Sequence, residues 1–138
     1  MREADVVECR ATGHSPKQAL RDGLIASSLC FTALLDGRPE AMFGLVVNSA
    51  LAGEGTPWML GTEAIYEHPR AMLRWGPRFL AAMLDSTPAL SNLVAVRNGR
   101  AVRMLRRWGF DLSEETIVVG EVDFVMFRME RPASQCLA

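Results

Sequence analysis

The side chains able to do chemistry are few, and arginines dominate them. Arg97, Arg100, Arg103, Arg106 and Arg107 crowd one short stretch, and Arg100, Arg103 and Arg107 share a helical face at i, i+3 and i+7. Like charges so spaced cost a helix about 0.2–0.5 kcal/mol per pair, so the array invites a reason. Guanidinium groups can hold phosphate oxygens, on a cofactor or on nucleic acid, or can dock an acidic partner. They can equally form a solvated face paired with Asp111, Glu114 and Glu115 just downstream. Glu63 sits where a strand is expected to end. It is a candidate general base, a role that shielding from water favours by raising a carboxyl pKa, or else a solvated loop carboxylate. Asn98 can offer its amide to a ligand, although a plain helix N-cap accounts for it as well. His14 and His68 have no acidic or nucleophilic neighbour in sequence, so no triad is implied. Cys9, Cys30 and Cys136 are odd in number, widely spaced and in no metal-ligand pattern, which reads as free thiols.

The elements that must position these residues follow from period and punctuation. Glu3 to Ala11 is weakly helical with Val6, Val7 and Cys9 as an apolar edge. Ser15-Pro16-Lys17-Gln18 is a capping box with proline at the first helical position. The helix it starts is expected to bury Leu20, Leu24 and Ile25. Two apolar runs, Cys30 to Leu35 and Ala41 to Val47, flank Asp36-Gly37, a strong hairpin signal because both residues tolerate positive φ. Asn48 to Thr56 reads as a loop, and Pro57 to Thr62 as a third, buried strand. His68-Pro69 opens a long helix with Met72, Trp75, Phe79, Leu80 and Met83 inward. Gly76-Pro77 inside it predicts a kink or break. Leu90 to Val96 is a fourth strand. A third long helix, capped by Asn98, is expected to bury Ala101, Leu105 and Trp108 and to end at Gly109. Strands Thr116 to Val119 and Val122 to Met129 close the chain around Gly120.

Two helices, a hairpin meander and a strand–helix–strand–helix unit give an α/β (α+β) fold with a mixed, mostly antiparallel sheet of about six strands and about four helices. The 138 residues suit one domain, expected over 1–131, with a flexible tail at 132–138. No apolar run reaches the roughly 18–20 residues of a membrane span. The opening Met1-Arg2-Glu3-Ala4-Asp5 lacks the apolar core of an export signal. A net charge of −1 argues against wholesale binding to nucleic acid or an anionic membrane.

The stretch from Leu93 to Phe110 resembles a segment of the GNAT (N-acetyltransferase-like) superfamily, where a strand ends, an Asn starts a helix, an Ala follows three residues later and Gly-Phe ends it. Leu34 to Gly44 is similar to that family's central hairpin. The resemblance implies acetyl-CoA as a ligand, contacted from Leu60, Thr62, Arg74 and Asn98. Two departures stand out. The segment matching the family's glycine-rich diphosphate loop, Thr62 to Pro69, has no glycine, carries Glu63 and Glu67, and ends in a residue without an N–H. Position 105, where the family commonly has a tyrosine that protonates the departing thiolate, is leucine.

Gly13-His14-Ser15-Pro16, Ala41-Met42-Phe43-Gly44 and Pro57-Trp58-Met59-Leu60-Gly61-Thr62 together resemble the acetyltransferase-like internal virion proteins of short-tailed phages. That resemblance implies a virion or host-cytoplasm location and other virion or assembly proteins as partners. Arg100, Arg103 and Arg107 would be the docking residues. The resulting expectation is a scaffold with degenerate acetyltransferase machinery. The alternative is a working acyl-CoA-dependent N-acetyltransferase, with Glu63 as base, on an amine that the sequence does not name.

Overall fold

A computed structural model describes residues 1–132. The expected tail lies outside the described residues apart from Pro132, as does Cys136. The order is α1 (Glu3–Ala11), α2 (Pro16–Ala26), β1 (Leu29–Leu35), β2 (Arg38–Ser49), β3 (Glu54–Gly61), α3 (Glu63–Tyr66), α4 (Pro69–Ser86), β4 (Ala89–Ala95), α5 (Gly99–Trp108), β5 (Asp111–Val119) and β6 (Val122–Glu130). One six-stranded sheet runs β1-β2-β3-β4-β6-β5. Every pairing is antiparallel except β3 with β4. Among the described residues no helix is long and apolar enough to cross a membrane.

The local signals act as their chemistry dictates. Ser15 and Gln18 form the reciprocal cap, Gln18 N–H donating to Ser15 Oγ at 3.2 Å and Ser15 N–H to Gln18 Oε1 at 3.1 Å. Asp36 and Gly37 both take positive φ, at 51° and 77°, and turn β1 into β2. Gly109 ends α5 in the left-handed region, φ 100°.

The helices α4 and α5 cover one face of the sheet. Leu80, Met83 and Leu84 of α4 meet Leu45, Leu90, Val94 and Phe127 from the sheet and Phe110 from the α5–β5 junction. Phe79 packs on Phe31 and Phe43 with ring centroids 4.9 and 4.8 Å away. The two helices lock through Trp108, whose indole N–H donates to the Met72 carbonyl at 3.1 Å. The ring lies flat on Gly76, where a Cβ would fall 2.3 Å from Trp108 Cε2.

Several expectations are corrected here. Helix α2 buries none of its residues: Leu24 and Ile25 are exposed, because the helix leans on the sheet through Gly23, which abuts the Trp58 ring. Helix α4 runs unbroken through Gly76-Pro77. Pro77 is exposed, so its ring is accommodated on the solvent side of the helix. In α5 the buried residue is Met104, with Ala101, Leu105 and Trp108 half-buried beside it. Strand β5 begins at Asp111 rather than Thr116, with a bulge between Leu112 and Thr116 that hides its period. The expected loop 48–56 is mostly strand, since β2 reaches Ser49 and β3 starts at Glu54. In α1 it is Asp5 and Cys9, rather than Val6 and Val7, that are buried.

The Gly76–Trp108 contact has a measurable consequence. Gly76→Ala inserts a methyl group where the helix backbone and the indole leave no room. It should lower the unfolding free energy by about 1–3 kcal/mol. Urea denaturation would show a lower midpoint at unchanged slope.

Candidate functional site

Strands β3 and β4 pair in parallel at only two positions, Glu54 with Ala89 and Gly55 with Leu90, and then part. The cause is local. Pro57 has no N–H to continue the ladder, and its carbonyl accepts instead from Asn92 Nδ2 at 2.8 Å. Asn92 Oδ1 in turn takes the Leu93 N–H at 2.7 Å, removing a donor on the opposite strand.

The direction of the remaining backbone groups follows by alternation. Gly61 turns both its N–H and its carbonyl away from β2, toward Asp5 Oδ2 (3.0 Å) and the Arg2 N–H (2.7 Å). Pro57 does likewise with its carbonyl. In the antiparallel β2–β3 ladder these groups alternate every second residue, so Met59 also aims its N–H and carbonyl into the gap. The opening holds a cavity of about 580 Å³. Its walls are apolar on the helix side (Met72, Ala101, Leu105) and along the parted strands (Met59, Leu60, Leu93).

A buried polar cluster from α1 stands at the wide end. The Arg2 guanidinium donates to Asp5 Oδ1 (3.2 Å) and to Asn98 Oδ1 (3.0 Å) and stacks 3.7 Å above the Tyr66 ring centre. Glu8 Oε1 accepts from the Ala95 N–H at 2.9 Å and from Asn98 Nδ2 at 3.0 Å. Asp5, Glu8, Tyr66 and Asn98 all line the cavity. Burial raises the pKa of Asp5, with the Gly61 N–H and Arg2 acting against it. Burial raises Glu8 too, opposed by its bonds from Asn98 and Ala95. The Tyr66 phenol, also desolvated, is pushed up to about 12 and keeps its proton at neutral pH.

The residues singled out from sequence separate into two groups. Leu60, Asn98 and Leu105 line the cavity. Asn98 makes no capping bond, its amide being spent on Arg2 and Glu8 instead. Thr62 donates its hydroxyl hydrogen bond to Glu40 Oε2. Glu63 lies outside the cavity and is exposed, 3.4 Å from Arg100 Nη1 and 3.8 Å from Arg2 Nε. Arg100 therefore pairs with Glu63 and not with Asp111, Glu114 or Glu115. Arg74, Arg103 and Arg107 point outward from their helices. Sequence reasoning missed Arg2, Asp5, Glu8 and Tyr66. The only advance signal was the spacing of Asp5, Glu8 and Cys9, which puts two acids on the same side of α1 as its one buried thiol.

This architecture is the GNAT fold, a sheet split between its central parallel strands with helices on it. Solved structures carry the same arrangement. The aminoglycoside acetyltransferase AAC(6')-Ib, in complex with ribostamycin and coenzyme A, matches with a TM-score of 0.68 and 16% identity, over 96% of this chain and 85% of that one. A GNAT-family acetyltransferase from Streptococcus pneumoniae matches at 0.62 and 13%, over 83% and 74%. A chimera of the spermidine N-acetyltransferase SpeG from Vibrio cholerae with hSSAT matches at 0.60 and 16%, over 83% and 74%. No protein-family model matches the sequence, and no curated protein matches it.

The raised carboxyl pKa values set a pH dependence. For an acid held above its ordinary value, the favourable contribution is present below that value and is lost as pH rises through the folded pKa. Glu8→Gln keeps an acceptor for Ala95 and Asn98 but cannot ionise. Relative to the parent it should therefore gain stability as pH rises from about the ordinary glutamate value of 4.5 toward neutrality, in denaturation curves collected across that range.

Proposed function

We propose that the chain binds an acyl thioester through its pantetheine arm in the gap between β3 and β4 and passes the acyl group to an amine. The observation carrying this reading is the parting of the two strands after Gly55, with the Met59 amide pair turned into an apolar slot. A pantetheine arm is an extended chain with two amides. It can take the place of the missing ladder, donating to and accepting from Met59 while its alkyl segments lie against Leu60, Leu93 and Leu105. That several solved structures of the same fold contain coenzyme A or acetyl-CoA supports it.

The transfer balances with groups the slot contains. The amine nitrogen bonds to the thioester carbonyl carbon, the carbon–sulfur bond breaks, and one proton must leave nitrogen while one reaches sulfur. Glu8 replaces Glu63 as the proposed base, because it lines the cavity and its raised pKa suits it to take the proton that a neutral amine sheds as the carbon–nitrogen bond forms. The proton it takes is the one the thiolate needs, which makes leucine at 105 compatible with turnover. The particle-assembly role implied by the phage resemblance draws on no feature of the slot and forms no part of this proposal.

Titration calorimetry with S-acetyl-pantetheine, which has neither phosphate nor nucleotide, tests the slot directly. Saturable binding is expected. Met59→Pro removes one donor aimed into the gap, at a strand position equivalent to Pro57. It should weaken binding about two- to tenfold, the worth of one hydrogen bond. Binding unaffected by that substitution would place the ligand elsewhere.

A further inference from the structure

The slot suits a pantetheine arm, yet the chain around its mouth does not suit the rest of a free coenzyme. Between Gly61 and Arg70 the N–H groups of Thr62, Ile65, Glu67 and His68 are already bonded to backbone carbonyls, and Pro69 has none. Glu63 and Glu67, both exposed there, would face a diphosphate with like charge. The far end of the arm needs an anchor other than the backbone of this loop.

The distribution of charge says what. From Pro69 to Trp108 the chain carries eight arginines against a single acid, Asp85, a local charge of +7, so the remainder carries −8. The net value of −1 hides this separation. On α4, Arg70, Arg74 and Arg78 follow at i, i+4 and i+8, on the side opposite buried Met72, Leu80, Met83 and Leu84. On α5, Arg100, Arg103 and Arg107 are exposed, the first and last lying one turn before and one turn after buried Met104. Of these six only Arg100 has an ion-pair partner among the described residues. Trp75, 46% exposed, lies beside Arg74 and Arg78, whose guanidinium carbons are 5.6 and 4.7 Å from its ring centre. The inner faces of the same two helices wall the slot, through Met72, Ala101 and Leu105. A basic face with an aromatic anchor therefore borders a slot for a pantetheine arm.

We propose that the thioester reaches the slot on a protein: an acidic carrier domain docks on the arginine face of α4 and α5 and inserts its acyl-phosphopantetheine arm between β3 and β4. This rests on the slot reading above. The carrier supplies through acidic helices the anchoring that a nucleotide would supply through its phosphates. Steering by the arginine face brings the arm to the mouth, and the slot reads the thioester.

Four probes test it by calorimetry: S-acetyl-pantetheine, acetyl-CoA, and an acidic acyl carrier protein in its acetyl-phosphopantetheine and apo forms. The acetylated carrier should bind at least about tenfold more tightly than S-acetyl-pantetheine and lose that advantage between 50 and 500 mM salt. The apo carrier should bind weakly. Acetyl-CoA should bind within about threefold of S-acetyl-pantetheine, since the N–H groups of Thr62, Ile65, Glu67 and His68 are spent and Glu63 and Glu67 oppose its diphosphate. The combined variant Arg74→Glu, Arg103→Glu, Arg107→Glu should abolish the carrier's advantage and leave S-acetyl-pantetheine unchanged; the salt titration gives the same answer without any substitution. Tenfold tighter binding of acetyl-CoA than of S-acetyl-pantetheine, or a carrier that binds no better than the bare arm, would overturn the carrier proposal and spare the slot. Failure of S-acetyl-pantetheine and both loaded forms to bind at all would remove the slot reading itself.

Discussion

The interruption of one parallel ladder decides what this molecule can be. Glu54 and Gly55 pair with β4, and two residues later Pro57 has no hydrogen to give. Asn92 completes the break from the other side, bonding the Pro57 carbonyl with its amide nitrogen and its own neighbour's N–H with its amide oxygen. A continuous sheet would leave no slot, no backbone groups facing inward and no reason for the helices to leave a cavity of about 580 Å³ beneath them. The Pro57 carbonyl and the Leu93 N–H cannot re-pair across the gap because both are bonded to Asn92, while the Met59 N–H and carbonyl stay turned into it.

The wide end of that gap is closed by charge rather than by apolar packing. Desolvated ions are costly unless each finds partners, and here each does, although Arg2 Nε itself makes no hydrogen bond. Arg2 is shared among Asp5, Asn98 and the Tyr66 face, while Asp5 and Glu8 accept the backbone N–H groups of Gly61 and Ala95. Helix α1 thus bridges the ends of β3 and β4 that the ladder no longer joins. It also meets the β5–β6 turn so closely that a Cβ on Gly120 would lie 2.4 Å from the Ala11 carbonyl oxygen. The cluster leaves the slot with an apolar length and one polar, titratable end.

On the opposite side of the helix layer, the same two helices serve packing and charge at once. Trp108 can lie against α4 only because residue 76 has no side chain, and the close approach sets two arginine-bearing helices side by side. Arginine suits such a surface because its guanidinium group can lie against an aromatic ring such as Trp75 while staying in water.

Much of the framework was legible in the residue order. The capping box at Ser15, the turn at Asp36-Gly37, the left-handed Gly109 and the alternating strands each depend on contacts within a few residues, which a linear pattern records. Helix α4 passing through Pro77, the exposed Leu24 and Ile25 of α2 and the early start of β5 were not legible, because each depends on what the neighbouring element leaves room for. The site divides in the same way. Leu60, Asn98 and Leu105 come from the segments whose pattern suggested a ligand, and they line the slot. Glu63 was chosen for its place beside a strand end, yet its side chain turns out to Arg100. The carboxylate that does face the slot, Glu8, is 87 positions from its bonding partner Ala95. The sequence by itself determined the elements, the missing donor at Pro57 and the missing glycines after Gly61, since these are properties of single residues and their neighbours. Only the tertiary structure decided which acids are buried and which arginines share a surface, because burial and long-range pairing belong to the packed chain and not to any segment of it.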